Sequence, residues 1–169
     1  MKIRLATPLI QKDSIVDGEG IRSVIWPQGC IHNCPSCHNP ETHSFKAGYL
    51  IELEELKEQI NKLEGQDGIT FSGGDPMMQP IPCMEIAKKC KELGFNIWCY
   101  TGFLFEELLD KKDCLEFLKY VDVLVDGKFD NNLKSYSAKF RGSKNQRIIN
   151  VKSSLKKKKA VCVREYIVK

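Results

Sequence analysis

Cys30, Cys34 and Cys37 stand within eight residues at the spacing C-x3-C-x2-C, directly after the strand-like run Ile21–Trp26. Three thiolates on so short a loop can hold three irons of a four-iron cluster. No fourth cysteine follows at a similar distance, so one iron would lack a protein ligand and stay open to another group. An open coordination position marks a metal that does chemistry rather than one that staples a fold. Ferredoxin runs use a different spacing and complete the ligand set with a further cysteine. The same three residues also suit a structural zinc site of the Cys3His type, with His32 or His38 as fourth ligand, because zinc tolerates many ligand separations.

The residues around the trio separate these readings. From Val16 to Thr42 the chain reads VDGEGIRSVIWPQGCIHNCPSCHNPET. This resembles the radical S-adenosylmethionine (SAM) enzymes and, more narrowly, the activating-protein family of anaerobic ribonucleoside-triphosphate reductase. Four further segments carry the likeness: SGGDP at Ser72–Pro76, YTGF at Tyr100–Phe103, VDVLVDGKF at Val121–Phe129 and FRGSKNQRIINV at Phe140–Val151. They follow the family's order across almost the whole chain. YTGF alone would be a weak signal.

What the resemblance implies is a [4Fe-4S] cluster on Cys30, Cys34 and Cys37 that passes one electron to the sulfonium of SAM. Cleavage then gives methionine and a 5′-deoxyadenosyl radical. The cofactors carry the chemistry, and the protein binds and orients them, so the chain needs no general base, nucleophile or phosphate loop of its own. By the same resemblance, Gly73 and Gly74 let the backbone approach the methionine amine, since glycine has no Cβ to obstruct it. Gly74→Val is then expected to obstruct SAM without removing the cluster. Asp75 stands where many relatives carry Glu, with a charge suited to an ammonium group. An ordinary Gly-Gly-Asp-Pro turn is the plainer account of these residues. Asp126 and Lys128 match residues that related enzymes place near the ribose and carboxylate of SAM, and equally suit a solvated turn after a strand. Ser36, Cys37 and His38 fall where family members contact adenine through the backbone. Many radical SAM enzymes have an aromatic residue where Ser36 stands, so stacking there is not expected. His32 and His38 are expected to fix the loop by hydrogen bonds. Asp17 matches an acid associated with a monovalent cation, but its companion is replaced by Tyr100, and a loop-capping Asp is expected instead.

The implied target is a glycine α-carbon in the large catalytic subunit of the reductase, with a reductant such as flavodoxin or ferredoxin. Activation of another glycyl-radical enzyme, such as pyruvate formate-lyase, is the nearest alternative. A deazaguanine-forming radical SAM enzyme fits HNPET after the third cysteine less well. A zinc-binding module or a ferredoxin-like carrier would leave SGGDP unexplained, and an assay for iron and sulfide against zinc separates these.

These residues must be held by a scaffold that the rest of the chain supplies. Its 169 residues suit a single domain spanning 1–169. Hydrophobic residues make up 42% and charged residues 28%, in keeping with a soluble globular protein. No apolar run is long enough to span a bilayer, and the start MKIRLATPLIQKDS lacks a signal-peptide core. A cytoplasmic protein without a membrane partner is expected, and its eight cysteines are read as thiols or metal ligands rather than disulfides. Cys90 and Cys99 sit in apolar patterns as small buried hydrophobes. The net charge of +4 is mild, and the basic run Lys156–Lys159 reads as a solvated helix end rather than a nucleic-acid contact.

Strands and helices alternate after the cysteine loop. Leu53, Leu56, Ile60 and Leu63 recur at helical spacing and Gly65 stops them. Ile69–Ser72 is a strand opening into Gly73-Gly74. Residues 80–93 read as a helix with Ile81, Met84, Ala87, Cys90 and Leu93 inward, and Phe95–Tyr100 as a buried strand. Phe103–Tyr120 is one or two helices, Val121–Val125 a strand, and Ala160–Val168 a last strand. This order predicts an α/β fold with a parallel sheet. A closed eightfold barrel needs about 250 residues, so the expectation, shared by the resemblance, is a partial, open (β/α) barrel of the radical SAM type. Its ligands should gather at the C-terminal ends of the strands.

Overall fold

Ile97 and Cys99 belong to one apolar cluster while Trp98 and Tyr100 belong to another. This two-residue alternation, which a strand imposes on its side chains, divides the molecule. In the computed structural model, which describes residues 1–167, the elements in chain order are β1 (Lys2–Leu5), β2 (Gln11–Ser14), β3 (Arg22–Ile25), β4 (Tyr49–Glu52), α1 (Leu53–Asn61), β5 (Gly68–Phe71), α2 (Pro80–Glu92), β6 (Asn96–Tyr100), α3 (Phe105–Leu108), α4 (Lys112–Leu118), β7 (Val123–Asp126), β8 (Arg147–Asn150) and α5 (Val151–Lys157). Six strands form one sheet in the order β2-β3-β5-β6-β7-β8. The inner pairings β3-β5, β5-β6 and β6-β7 are parallel, and the outer pairs β2-β3 and β7-β8 are antiparallel. β1 and β4 form a separate antiparallel pair.

All five helices bury apolar residues in the larger cluster: Leu56 and Ile60 from α1, Ile86 and Cys90 from α2, Phe105 from α3, Phe117 from α4 and Val151 from α5. One face of the sheet therefore meets helices. The other face carries a smaller cluster of Trp98, Val125 and Ile148, against which Tyr100, Phe140 and Tyr166 pack. Trp98, Phe140 and Tyr166 meet edge to face, with ring centroids 5.4 to 6.4 Å apart. Such aromatic pairs contribute roughly 1 kcal/mol each beyond area burial. Beside them lies Arg22, only 1% exposed and 5.6 Å from the Trp98 ring centroid. Its guanidinium donates to the Thr70 hydroxyl and to the carbonyls of Glu19, Ile69 and Asn96. Burial still pulls its pKa down to about 10.

Several expectations are corrected. Of the face expected for α2, Ala87 and Cys90 are buried and Met84 packs against the core, whereas Ile81 and Leu93 are exposed and Cys83 and Ile86 are buried in addition. Contact with α1 and α4 sets this face. The segment after Ala160 is not a strand: Cys162 makes a single bridge to Ile149, and Arg164–Tyr166 is a short 3-10 turn. Val168 lies outside the described residues. The strands β1, β2, β4 and β8 were not anticipated. Each has four residues, and two of them pair with a strand more than forty residues away. Lys156–Lys159 are exposed at the end of α5, as expected of a solvated helix end. Among the described residues no helix is long and apolar enough to cross a membrane.

Replacing Arg22 with Met would remove the donors to the buried Thr70 hydroxyl and Ile69 carbonyl and to the carbonyls of Glu19 and Asn96. Each unsatisfied buried group costs about 1–3 kcal/mol. Arg22→Met is expected to destabilise the fold by about 3 kcal/mol, read as a fall in urea midpoint at unchanged slope.

Candidate metal and cofactor site

The four parallel strands end at one edge of the sheet, and each runs into a loop that carries a sequence signal. β3 leads to the cysteine loop, β5 to Ser72–Asp75, β6 to Thr101-Gly102 and β7 to Gly127-Lys128. Between these loops lies a cavity of about 450 Å³, within the range of small-molecule sites. Cys30, Cys34 and Cys37 all line it, half-buried and free. Two left-handed residues, Asn33 at φ 49° and Ser36 at φ 60°, turn the loop between the thiols. The Cys37 amide closes the second turn on the Cys34 carbonyl at 3.1 Å.

Burial raises the Cys30 thiol pKa, while hydrogen bonding to the backbone at His32 and Asn33 works in the opposite direction. Among the described residues no three His, Cys, Asp or Glu side chains gather tightly enough to hold a single ion. His32 is turned away from a ligand role: its Nε2 lies 2.6 Å from Asp75 Oδ2 and its ring meets Phe103 edge-on. His38 lines the cavity with its ring tilted against Phe129. No fourth cysteine joins the three in the cavity: Cys83, Cys90, Cys99 and Cys114 are buried in the core, and Cys162 is half-buried elsewhere. Three thiols facing one roomy cavity, with no fourth, is a donor set that fits an iron–sulfur cluster with one open position.

The cysteine loop and the glycine loop are laced together. Gly74 and Asp75 amides donate to the carbonyls of Pro27 and Gly29, both at 2.8 Å, and the Gly29 amide donates to Thr42. Gly73 and Gly74 line the cavity, but their missing Cβ serves this packing first. A Cβ on Gly74 would come within 2.4 Å of the Gly29 carbonyl oxygen, and one on Gly73 within 2.5 Å of that of Pro27. The expectation that bulk at Gly74 acts on SAM alone is therefore corrected, since it must push on the residue next to Cys30.

Asp75 is fully buried and not part of the cavity wall. Its carboxylate accepts from the amides of Met77 and Gly102, from the Thr101 hydroxyl, and meets His32. Its oxygens meet these scaffold groups rather than the cavity. Asp126 is likewise buried, accepting from the Phe105 amide and from Arg147, which also reaches Glu106. Lys128 is exposed and outside the cavity lining. Ser36 is also exposed and outside the lining, whereas Cys37 and His38 line the cavity. Asp17 accepts the Ser14 hydroxyl, a loop-capping bond, and borders the cavity. Phe129 joins the wall from the VDVLVDGKF segment, and Phe140, Arg141, Gly142 and Gln146 join it from FRGSKNQ. That string signalled the family without indicating any role for its residues.

The chain matches a family model described as a 4Fe-4S single cluster domain over residues 16–149. It is 37% identical over 140 residues to the anaerobic ribonucleoside-triphosphate reductase-activating protein of Enterobacteria phage T4, covering 79% of this chain and 86% of the phage protein. It is 36% identical to the protein of the same name from Haemophilus influenzae, covering 78% of this chain and 89% of that one. The Escherichia coli K12 protein of that name is 35% identical, with 78% and 90% covered.

Gly74→Val is expected to lower iron and sulfide content along with the melting temperature, because the branched side chain meets the Gly29 and Thr42 carbonyls. Full cluster content in a variant that loses only SAM binding would restore the simpler reading.

Proposed function

The chain belongs to the family of anaerobic ribonucleoside-triphosphate reductase-activating proteins, and we propose that it acts as one: a radical SAM enzyme that installs a glycyl radical on the large catalytic subunit of that reductase. The observation that carries this reading is the convergence of Cys30, Cys34 and Cys37 on one cavity together with Gly73 and Gly74. When bound, a [4Fe-4S] cluster would supply one electron to the sulfonium of SAM. The chain's own task is to hold and orient. Cys30, Cys34 and Cys37 anchor the cluster, and the backbone hydrogen bonds at His32 and Asn33 ease the charge on the Cys30 sulfur. His32 and Asp75 keep the loop in register with Thr101-Gly102. Holding reacting groups at fixed separation turns a collision into a positioned event.

The sheet is read as an open, partial (β/α) barrel, supported by helices that all pack on one face. Its concave side then faces the cavity, and the fully exposed rim residue Tyr136, with Lys134 over its ring, flanks the entrance. An entrance of this kind admits a peptide segment carrying the target glycine. Flavodoxin or ferredoxin would provide the electron, and the cytoplasm, where the reductase partner works, would be the place of action.

Two measurements test this reading. Any single Cys→Ala change at Cys30, Cys34 or Cys37 is expected to abolish the oxygen-labile cluster, while Cys90→Ala and Cys162→Ala keep it. A full cluster in the triple variant would refute the ligand set. Second, anaerobic mixing of this protein, SAM, a reductant and the reductase subunit is expected to give a glycyl-type doublet by electron paramagnetic resonance, with stoichiometric 5′-deoxyadenosine. A silent reductase alongside an activated pyruvate formate-lyase would move the assignment to that partner.

A further inference from the structure

Among the described residues, Arg141 Nε is the one side-chain nitrogen or oxygen sealed from solvent with no hydrogen-bond partner. The rest of its guanidinium makes a single long contact, Nη1 to the Gln146 carbonyl at 3.4 Å. A guanidinium offers five donors, and buried donors left unpaired are rare and costly. The two comparable arginines show what this chain normally provides. Arg22 spends its donors on carbonyls and a hydroxyl, and Arg147 is clamped by Asp126 and Glu106.

The backbone that carries Arg141 is firmly held. Tyr100 donates its phenol hydrogen to the Phe140 carbonyl at 2.7 Å, and Gln146 Oε1 accepts the Gly142 and Ser143 amides. Phe140 itself is pinned by Trp98 and Tyr166. The side chain borders the cavity that the three thiols line, and also a smaller pocket shared with Glu165, on a rigid support and, among the described residues, without an ion-pair partner. Asp17, the one Asp or Glu in the cavity lining, accepts the Ser14 hydroxyl instead. Desolvation pulls the Arg141 pKa down, while Cys162 and Tyr100 work in the opposite direction.

A planar fork with unspent donors suits a carboxylate in two-pronged geometry. We propose that Arg141 is the seat for the α-carboxylate of SAM. The inference rests on the reading of this cavity as the SAM site. It moves the basic residue that meets the carboxylate from exposed Lys128 to a desolvated arginine in the cavity wall. It also gives FRGSKNQ a purpose: Phe140, Gly142 and Gln146 present the arginine.

The test is equilibrium binding to the anaerobically reconstituted protein, with SAM and its decarboxylated analogue as probes. Arg141→Met, of similar reach but without charge, is expected to weaken SAM about 10- to 100-fold, the usual effect of losing charged hydrogen bonds. Affinity for the decarboxylated analogue should stay within about twofold. Arg141→Lys should recover part of the SAM affinity, as a point charge without the fork. Iron content should be unchanged, and the melting temperature of Arg141→Met unchanged or higher, because an unsatisfied group has been removed. Equal weakening of both probes, unchanged SAM affinity, or a lowered melting temperature would each overturn the assignment. So would a defect confined to activation of the reductase, which would turn Arg141 toward the partner protein. If the unmodified protein binds neither probe, the SAM reading of the cavity falls first.

Discussion

The Asp75 carboxylate is the tie on which the rest of the site depends. It is fully buried, where an ionised group is costly unless its oxygens are satisfied. It meets the Met77 amide in its own turn, the Thr101 hydroxyl and Gly102 amide after β6, and His32 between two of the cysteines. Three loops separated by tens of residues are thus fixed to one side chain. A flexible thiol-bearing loop would otherwise sample many arrangements, and a multi-iron body requires one. Charge-assisted hydrogen bonds to a desolvated carboxylate are stronger than neutral ones, which is why an acid rather than an amide suits this position.

A second buried acid repeats the arrangement at the end of β7, two strands over from β5. Asp126 draws the Phe105 amide and Arg147 together, and Arg147 reaches on to Glu106. The parallel strands bring both acids to the same edge of the sheet, so each can secure the loop beside it. Below that edge the two faces differ. Helices cover one, and on the other Trp98, Phe140 and Tyr166 close the space around buried Arg22. The segment near the end of the chain thereby backs Phe140, a residue of the cavity wall, although Arg164–Tyr166 makes only a short turn.

Charge is distributed accordingly. The acids that the family pattern points to are bonded into the scaffold, while in the arginine it leaves without a role Nε has no partner among the described residues. Carboxylates close to the backbone are short and make good ties, whereas a long guanidinium arm can leave its head in a cavity while its stem packs. Scaffold and recognition are thus divided between side chains of different reach.

The sequence by itself determined the cysteine loop, the order of the loops that follow β5, β6 and β7, and the α/β class. All of these rest on short-range information: thiol spacing within eight residues, apolar runs of strand length, and helical periodicity in Leu53, Leu56 and Ile60. Only the tertiary structure decided that Ile81 and Leu93 at the ends of α2 face outward, that β1 pairs with β4, and that the chain beyond Ala160 turns instead of extending. It alone also bonded Asp75 and Asp126 into the scaffold and, among the described residues, left Arg141 Nε without a partner. The physical reason is the same in each case. A polar side chain's role is set by the groups around it after folding, and for Asp75 those groups include residues 26 and 43 positions away along the chain. Local pattern names the groups present, and packing decides which of them are already spent.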